Sequence, residues 1–222
     1  MKAIARIFAL VLIIVVAWLA ASREKTPTAI APIQDQNTVT TTASPTATVT
    51  PEIPVMDDGW QRYDNATFAF SIRYPALYTV NEEHVYSALG PGSEIKGIAF
   101  MVPSSISAGT NLSADSYLSV ERQALNDTEC RPRAFLGQSV NERTESINGR
   151  NFTLADSSGA GAGNRYDETV AVTSVGTNCY GLRLFIHSTV IENYEPGTVR
   201  EYDRQSLLDD YSKFRASFVT GA

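Results

Sequence analysis

From residue 57 onward, apolar positions recur mostly at every second residue. In FAFSIRY, residues 68–74, Phe68, Phe70, Ile72 and Tyr74 share one parity, the mark of a strand with one buried face. Pro75 ends the run, since a proline offers no N–H. IKGIAFMV (95–102) and YLSVE (117–121) read the same way. ERTESI and RNFTLA flank Asn148-Gly149, which predicts a hairpin on a type I′ turn. Farther on, Val170 and Val172 alternate, and CYGLRLFIHS puts Tyr180, Leu182, Leu184 and Ile186 on one face, predicting two neighbouring strands. The period changes only at the end: Leu207, Leu208, Tyr211, Phe214 and Phe218 fall at helical spacing over 204–218, with Asp203 as N-cap. A helix laying its apolar stripe on an antiparallel sheet gives an α+β fold.

The first 56 residues follow neither period. Lys2 and Arg6 precede an apolar run from Ile7 to Ala21, so residues 1–25 read as an export signal. Two forms fit. A run of about 15 residues suits a cleavable signal, while counting back to Ala3 with Arg6 snorkelling gives about 19, enough for a single-pass anchor. Positive charge ahead of the run keeps that end in the cytoplasm and places the rest outside, in the periplasm or at the cell surface. Residues 26–56 are rich in Thr, Pro and Ala, the composition of an extended spacer. Residues 57–222 then suffice for one domain.

A net charge of -6 without a basic stripe excludes nucleic acid and a polybasic grip on anionic lipid. The only cysteines are Cys130 and Cys179. Neither follows the apolar run, which excludes a lipidated signal cysteine, so any tether is the helix itself. In an exported domain the two suggest a disulfide worth about 4 kcal/mol, against the alternative of two separate buried thiols.

SSGAGAGNRYDETVAV, residues 157–172, has the look of a phosphate-binding loop. It lacks the lysine of a Walker loop, its glycines are spaced G-x-G-x-G, and a strand pattern follows instead of a helix. No cofactor is therefore implied, and the stretch reads as a wide hairpin loop between FTLA and TVAV, with Arg165 and Tyr166 at its exit. Ser93 and Lys96 satisfy S-x-x-K, but so do Ser22 and Lys25, and no companion motif exists. The histidines, His84 and His187, have no metal-ligand spacing. His187 shares parity with Cys179, Arg183 and Phe185, opposite the apolar row, as a structural histidine or a general base. Glu82-Glu83 and Asp209-Asp210 are adjacent pairs that point apart and read as solvated charges. Tyr194 and Tyr202 bracket Pro196-Gly197, a type II turn signature, in a segment that suits a sheet-edge cover or a protein interface.

WQRYDNATFAFSIRYPALYTV resembles the opening of PsbP-like domains, in which an aromatic-rich strand ends in Tyr-Pro and a late helix ends in a Ser-Phe pair, here Ser217-Phe218. GTNLSADSYLSVE, GAGAGNRY, IHS and IENYEPGTVREYDR are similar to a group of uncharacterised bacterial envelope proteins with paired cysteines. The resemblance implies an α/β/α-type sandwich around an antiparallel sheet, and a binding or assembly factor rather than an enzyme. The expectation is a non-enzymatic envelope domain with a protein partner, or alternatively a carrier of a lipid or small ligand. Its expected contacts are Arg165, Tyr166, His187 and Tyr194.

Overall fold

The alternation read from the sequence resolves into two antiparallel sheets in a computed structural model that describes residues 58–138 and 140–221. The expected signal or anchor (1–25) and spacer (26–56) lie outside the described residues. The small sheet has the order β1 (Trp60–Asn65), β2 (Phe70–Pro75), β10 (Val219–Thr220). The large sheet comprises β3 (Thr79–Tyr86), β4 (Ile95–Met101), β5 (Tyr117–Gln123), β6 (Arg143–Ile147), β7 (Arg150–Gly161), β8 (Asn164–Val175) and β9 (Asn178–Thr189), in the order β3-β4-β5-β9-β8-β7-β6. With helices α1 (Ser104–Ser107), α2 (Arg133–Leu136) and α3 (Arg204–Ala216), the fold is α+β.

The main core lies between the first face of the large sheet, the small sheet and α3. Ile98, Phe100, Leu118, Phe152, Leu154, Leu182 and Ile186 meet Phe70, Ile72 and Tyr74 of β2 and Leu207, Tyr211 and Phe214 of α3. This space is filled: those rings and branched chains are all nearly inaccessible. Asp203 caps α3 as expected, accepting the Ser206 N–H at 3.1 Å. Ser217 ties the far end to β2, its Oγ accepting the Arg73 N–H at 2.8 Å. β2 begins at Phe70 rather than Phe68, because the Asn65 side chain takes the Phe68 N–H and Ala69 turns to φ 55°. Asn148 and Gly149, at φ 51° and 78°, form the expected type I′ turn.

The second face has a different cover. Cys130 and Cys179 are bonded across 49 residues, which fastens the stretch after β5 to the start of β9. Phe135 and Leu136 of α2 then pack over Tyr86, Ile95, Ala155, Val170 and Val172. Gly181 permits this approach, since a Cβ there would stand 2.5 Å from the Phe135 ring. The helical layer on this side is a single four-residue turn.

One expectation is corrected here. The glycine-rich stretch is not a wide loop: β7 and β8 stay paired from Thr153↔Val172 to Gly161↔Asn164. A two-residue turn, Ala162 at φ 51° and Gly163 at φ 79°, joins them. Main-chain pairing requires no side chains, so a composition that reads as a loop forms the end of a long hairpin.

Candidate functional site

β7 changes character halfway along. Residues Arg150 to Leu154 pair with β6 on one side and, from Thr153, with β8 on the other. Beyond Leu154 the strand keeps β8 and has no strand partner on its outer side among the described residues. Gln138, ahead of β6, donates to Ser157 Oγ at 2.5 Å, and a cleft of about 400 Å³ separates Gln138, Val140 and Asn141 from Asp156, Ser157 and Ser158. The chain thus leaves the sheet where the open edge begins.

The turn sets which groups the edge offers. Gly161 and Asn164 flank a two-residue loop and form its closing hydrogen-bonded pair, so Gly159 and Ser157 also bond inward to β8. Asp156, Ser158 and Ala160 then direct their N–H and C=O outward. Ser158 to Gly161 are exposed, while Asp156 and Ser157 face Gln138 and Asn141 across the cleft.

Beside this edge, the second face carries a buried ionic cluster. Arg183, fully buried, bonds both oxygens of Glu121 at 2.7 and 2.8 Å and the Phe135 carbonyl at 2.9 Å, and also pairs with Glu168. Its guanidinium lies 3.5 Å from the centre of the Tyr86 ring, and the Tyr86 hydroxyl donates to Glu168 at 3.0 Å. Burial pushes the Glu121 carboxyl upward, but the guanidinium more than offsets this and holds it below the ordinary carboxylate range. Burial also raises the Tyr86 phenol to about 12. The cluster satisfies its own charges and holds the cover against the sheet.

The expected contact residues divide. Tyr166 and His187 face each other across β8 and β9 and stack at 4.5 Å, and His187 Nδ1 lies 2.8 Å from Asp115 Oδ1. Arg165 points to the opposite side and bonds Asp167 at 3.1 Å. Tyr194 follows a short 3₁₀ turn, Ile191–Asn193, in the segment that covers the end of β9. The Asn111 N–H donates to the Arg200 carbonyl at 3.0 Å in that cover, and Gly197 at φ 84° makes the expected type II turn. Among the described residues, no hydrogen bond or ring contact joins Tyr194 to the other three.

Sequence reasoning missed the open edge and the Arg183 cluster. Only the length of the β7–β8 pairing reveals the first. The second had a signal: Glu121, Arg183 and Glu168 lie on strands at one parity. A separate groove of about 590 Å³ crosses the outer side of the small sheet, lined by Trp60, Ile72, Arg73, Lys213, Ser217 and Val219 among others. Lys213 Nζ stands 5.7 Å from the centre of the Trp60 ring there.

No protein-family model matches the chain, and no curated protein matches it by sequence. Among solved structures, a protein from Bacteroides thetaiotaomicron VPI-5482 is similar with a TM-score of 0.44 and 12% identity, over 72% of this chain and 47% of that one. This chain thus spans about half of that protein's length. The solution structure of cyanobacterial PsbP (CyanoP) from Synechocystis sp. PCC 6803 is similar with a TM-score of 0.41 and 12% identity, over 73% of this chain and 92% of that one.

Proposed function

We propose that this protein is a non-enzymatic binding or assembly domain of the cell envelope, and that it takes an extended segment of a partner protein as an extra strand on β7. One observation carries the reading: Ser158 to Gly161 are exposed and, among the described residues, their outward main-chain groups have no strand partner, where natural sheets ordinarily place charge, proline or a covering loop. The export-type first 25 residues and the Thr/Pro-rich spacer support an anchored or secreted domain outside the cytoplasm, and the disulfide is of the kind that persists in oxidising compartments. Kinship with uncharacterised envelope proteins that carry paired cysteines belongs to the same reading.

The test is site-specific photocrosslinking in the native membrane with the probe at Ser158. A crosslinked polypeptide is expected. It should vanish in Ala160→Pro, which removes an outward N–H and leaves the β7–β8 ladder intact, and persist in Arg165→Ala. A partner captured equally by both variants, with their thermal unfolding unchanged, would overturn strand addition. A second reading, a small-amphiphile carrier, is favoured by the groove that sets Trp60, Ile72 and Val219 beside Lys213 and Arg73. A co-purifying small molecule in native mass spectra, lost in Trp60→Ala, would favour it over the partner.

A further inference from the structure

A row of rings crosses the second face of the large sheet. His84 on β3 meets Tyr117 on β5 with centroids 4.7 Å apart, and Tyr117 stacks on Phe185 of β9 at 5.0 Å and 22°. Phe185 meets Tyr166 of β8 at 6.3 Å, and Tyr166 stacks on His187. The row stops at β7, where the residue paired with Tyr166 is Gly159. The backbone does not require glycine there: unlike Gly163, Gly159 has no positive φ, and a Cβ would meet nothing within 4 Å. The gap lies in the strand whose outer edge is open.

We infer that the segment docking on β7 carries an aromatic residue opposite Gly159, whose ring lies across the glycine and extends the row from Tyr166. This rests on the strand-addition reading. Strands are about 4.8 Å apart, so a side chain one strand beyond Gly159 has only a glycine between itself and Tyr166. A ring placed over a cross-strand glycine covers main chain that the glycine leaves bare. A second copy of this chain fits the edge poorly. Six strand residues extend about 20 Å, and an edge about 10 Å thick buries only a few hundred Å² per partner. A stable pair of folded domains needs about 800 Å² per partner. An extended segment needs less, because main-chain bonds at Ser158 and Ala160 hold it and one ring anchors it.

The experiment titrates the ¹⁵N-labelled protein with short Thr/Ser-alternating peptides that carry Phe, Trp or Ala at the centre. The Phe and Trp peptides should bind about tenfold more tightly than the Ala peptide, with shifts confined to residues 156–161 and Tyr166. Gly159→Val puts a branched side chain in the gap, where a Cβ meets nothing within 4 Å, so it should bind the Ala peptide as before and lose the aromatic preference. Equal affinities with shifts at the edge would overturn the aromatic anchor alone. An edge that no peptide shifts would overturn strand addition with it.

Discussion

The two ends of β7 belong to one strand and obey different rules. At its root, Phe152 and Leu154 are buried in the main core, Ala155 is buried under α2, and β6 closes the outer side. At its tip, Ser157, Ser158, Gly159, Ala160 and Gly161 bury nothing large and leave the outer side open. Burial fixes the root in place. The tip persists because β8 is itself held by β9 along its whole length, from Asn164↔Thr189 to Val175↔Asn178. A strand that contributes little to the core and keeps a free edge is stabilised from one side only. It is the edge on which the proposed strand addition would take place.

The largest effect that should separate the two ends is Phe152→Ala. This ring is 1% exposed and lies edge-on to Phe218, so truncation leaves a cavity and should cost about 3–5 kcal/mol. At the tip, Ser158→Ala should change stability by less than about 0.5 kcal/mol. Urea midpoints of the two variants give the comparison directly. Equal losses would mean that the tip carries packing its exposure does not reveal, and the contrast would fail.

Reduction of Cys130–Cys179 should come next, at about 2–4 kcal/mol. The bond pins the cover over Ala155, Val170 and Val172, so its loss should make the root resemble the tip. Hydrogen exchange is expected to quicken at those residues while the amides of 157–161 exchange as before. Should the three stay protected after reduction, the Arg183 cluster and Phe135 would be holding the cover without the disulfide.

The root was legible in the sequence and the tip was not, for a physical reason. Alternation reports burial: Phe70, Ile72 and Tyr74, or Leu182, Leu184 and Ile186, could be read because only one face of their strands is apolar. The Asp203 cap, the Asn148-Gly149 turn and the cysteine pairing carry local chemistry that survives without context. β3 escaped notice because TVNEEHVY is mostly polar and bulges between Asn81 and His84. Arg183 lies at the parity that reads as solvent-facing, yet it is fully buried, because Glu121 comes from a strand 62 residues away and α2 covers the cluster. The tip misled for the opposite reason, since serines and glycines signal a loop whereas main-chain pairing is blind to side chains. Of the expected contacts, shared parity and strand pairing brought Tyr166 and His187 together. Arg165 was lost to the opposite face and Tyr194 to the cover of β9.

The boundary between root and tip falls at Asp156, and a small effect tests its position. Asp156 accepts from Arg143 of β6 at 2.5 Å and from Thr169 at 2.7 Å, with the two charged side chains 46% and 58% exposed. Partial burial pushes its carboxyl up, but the Arg143 and Thr169 bonds more than offset this and hold it below the ordinary carboxylate range. A depressed carboxyl contributes stability that is present above its unfolded value and is lost as pH falls through the folded one. Because water reaches both partners, Arg143→Ala should cost less than about 1 kcal/mol, shrink further in salt, and let the Asp156 carboxyl titrate at higher pH by NMR. Glu121 has the same sign of shift, but removing Arg183 would strand a buried charge, a far larger loss. A loss of about 3 kcal/mol or more from Arg143→Ala would put this pair in the second class. Asp156 would then belong to the root, and the open edge would begin one residue later, at Ser157.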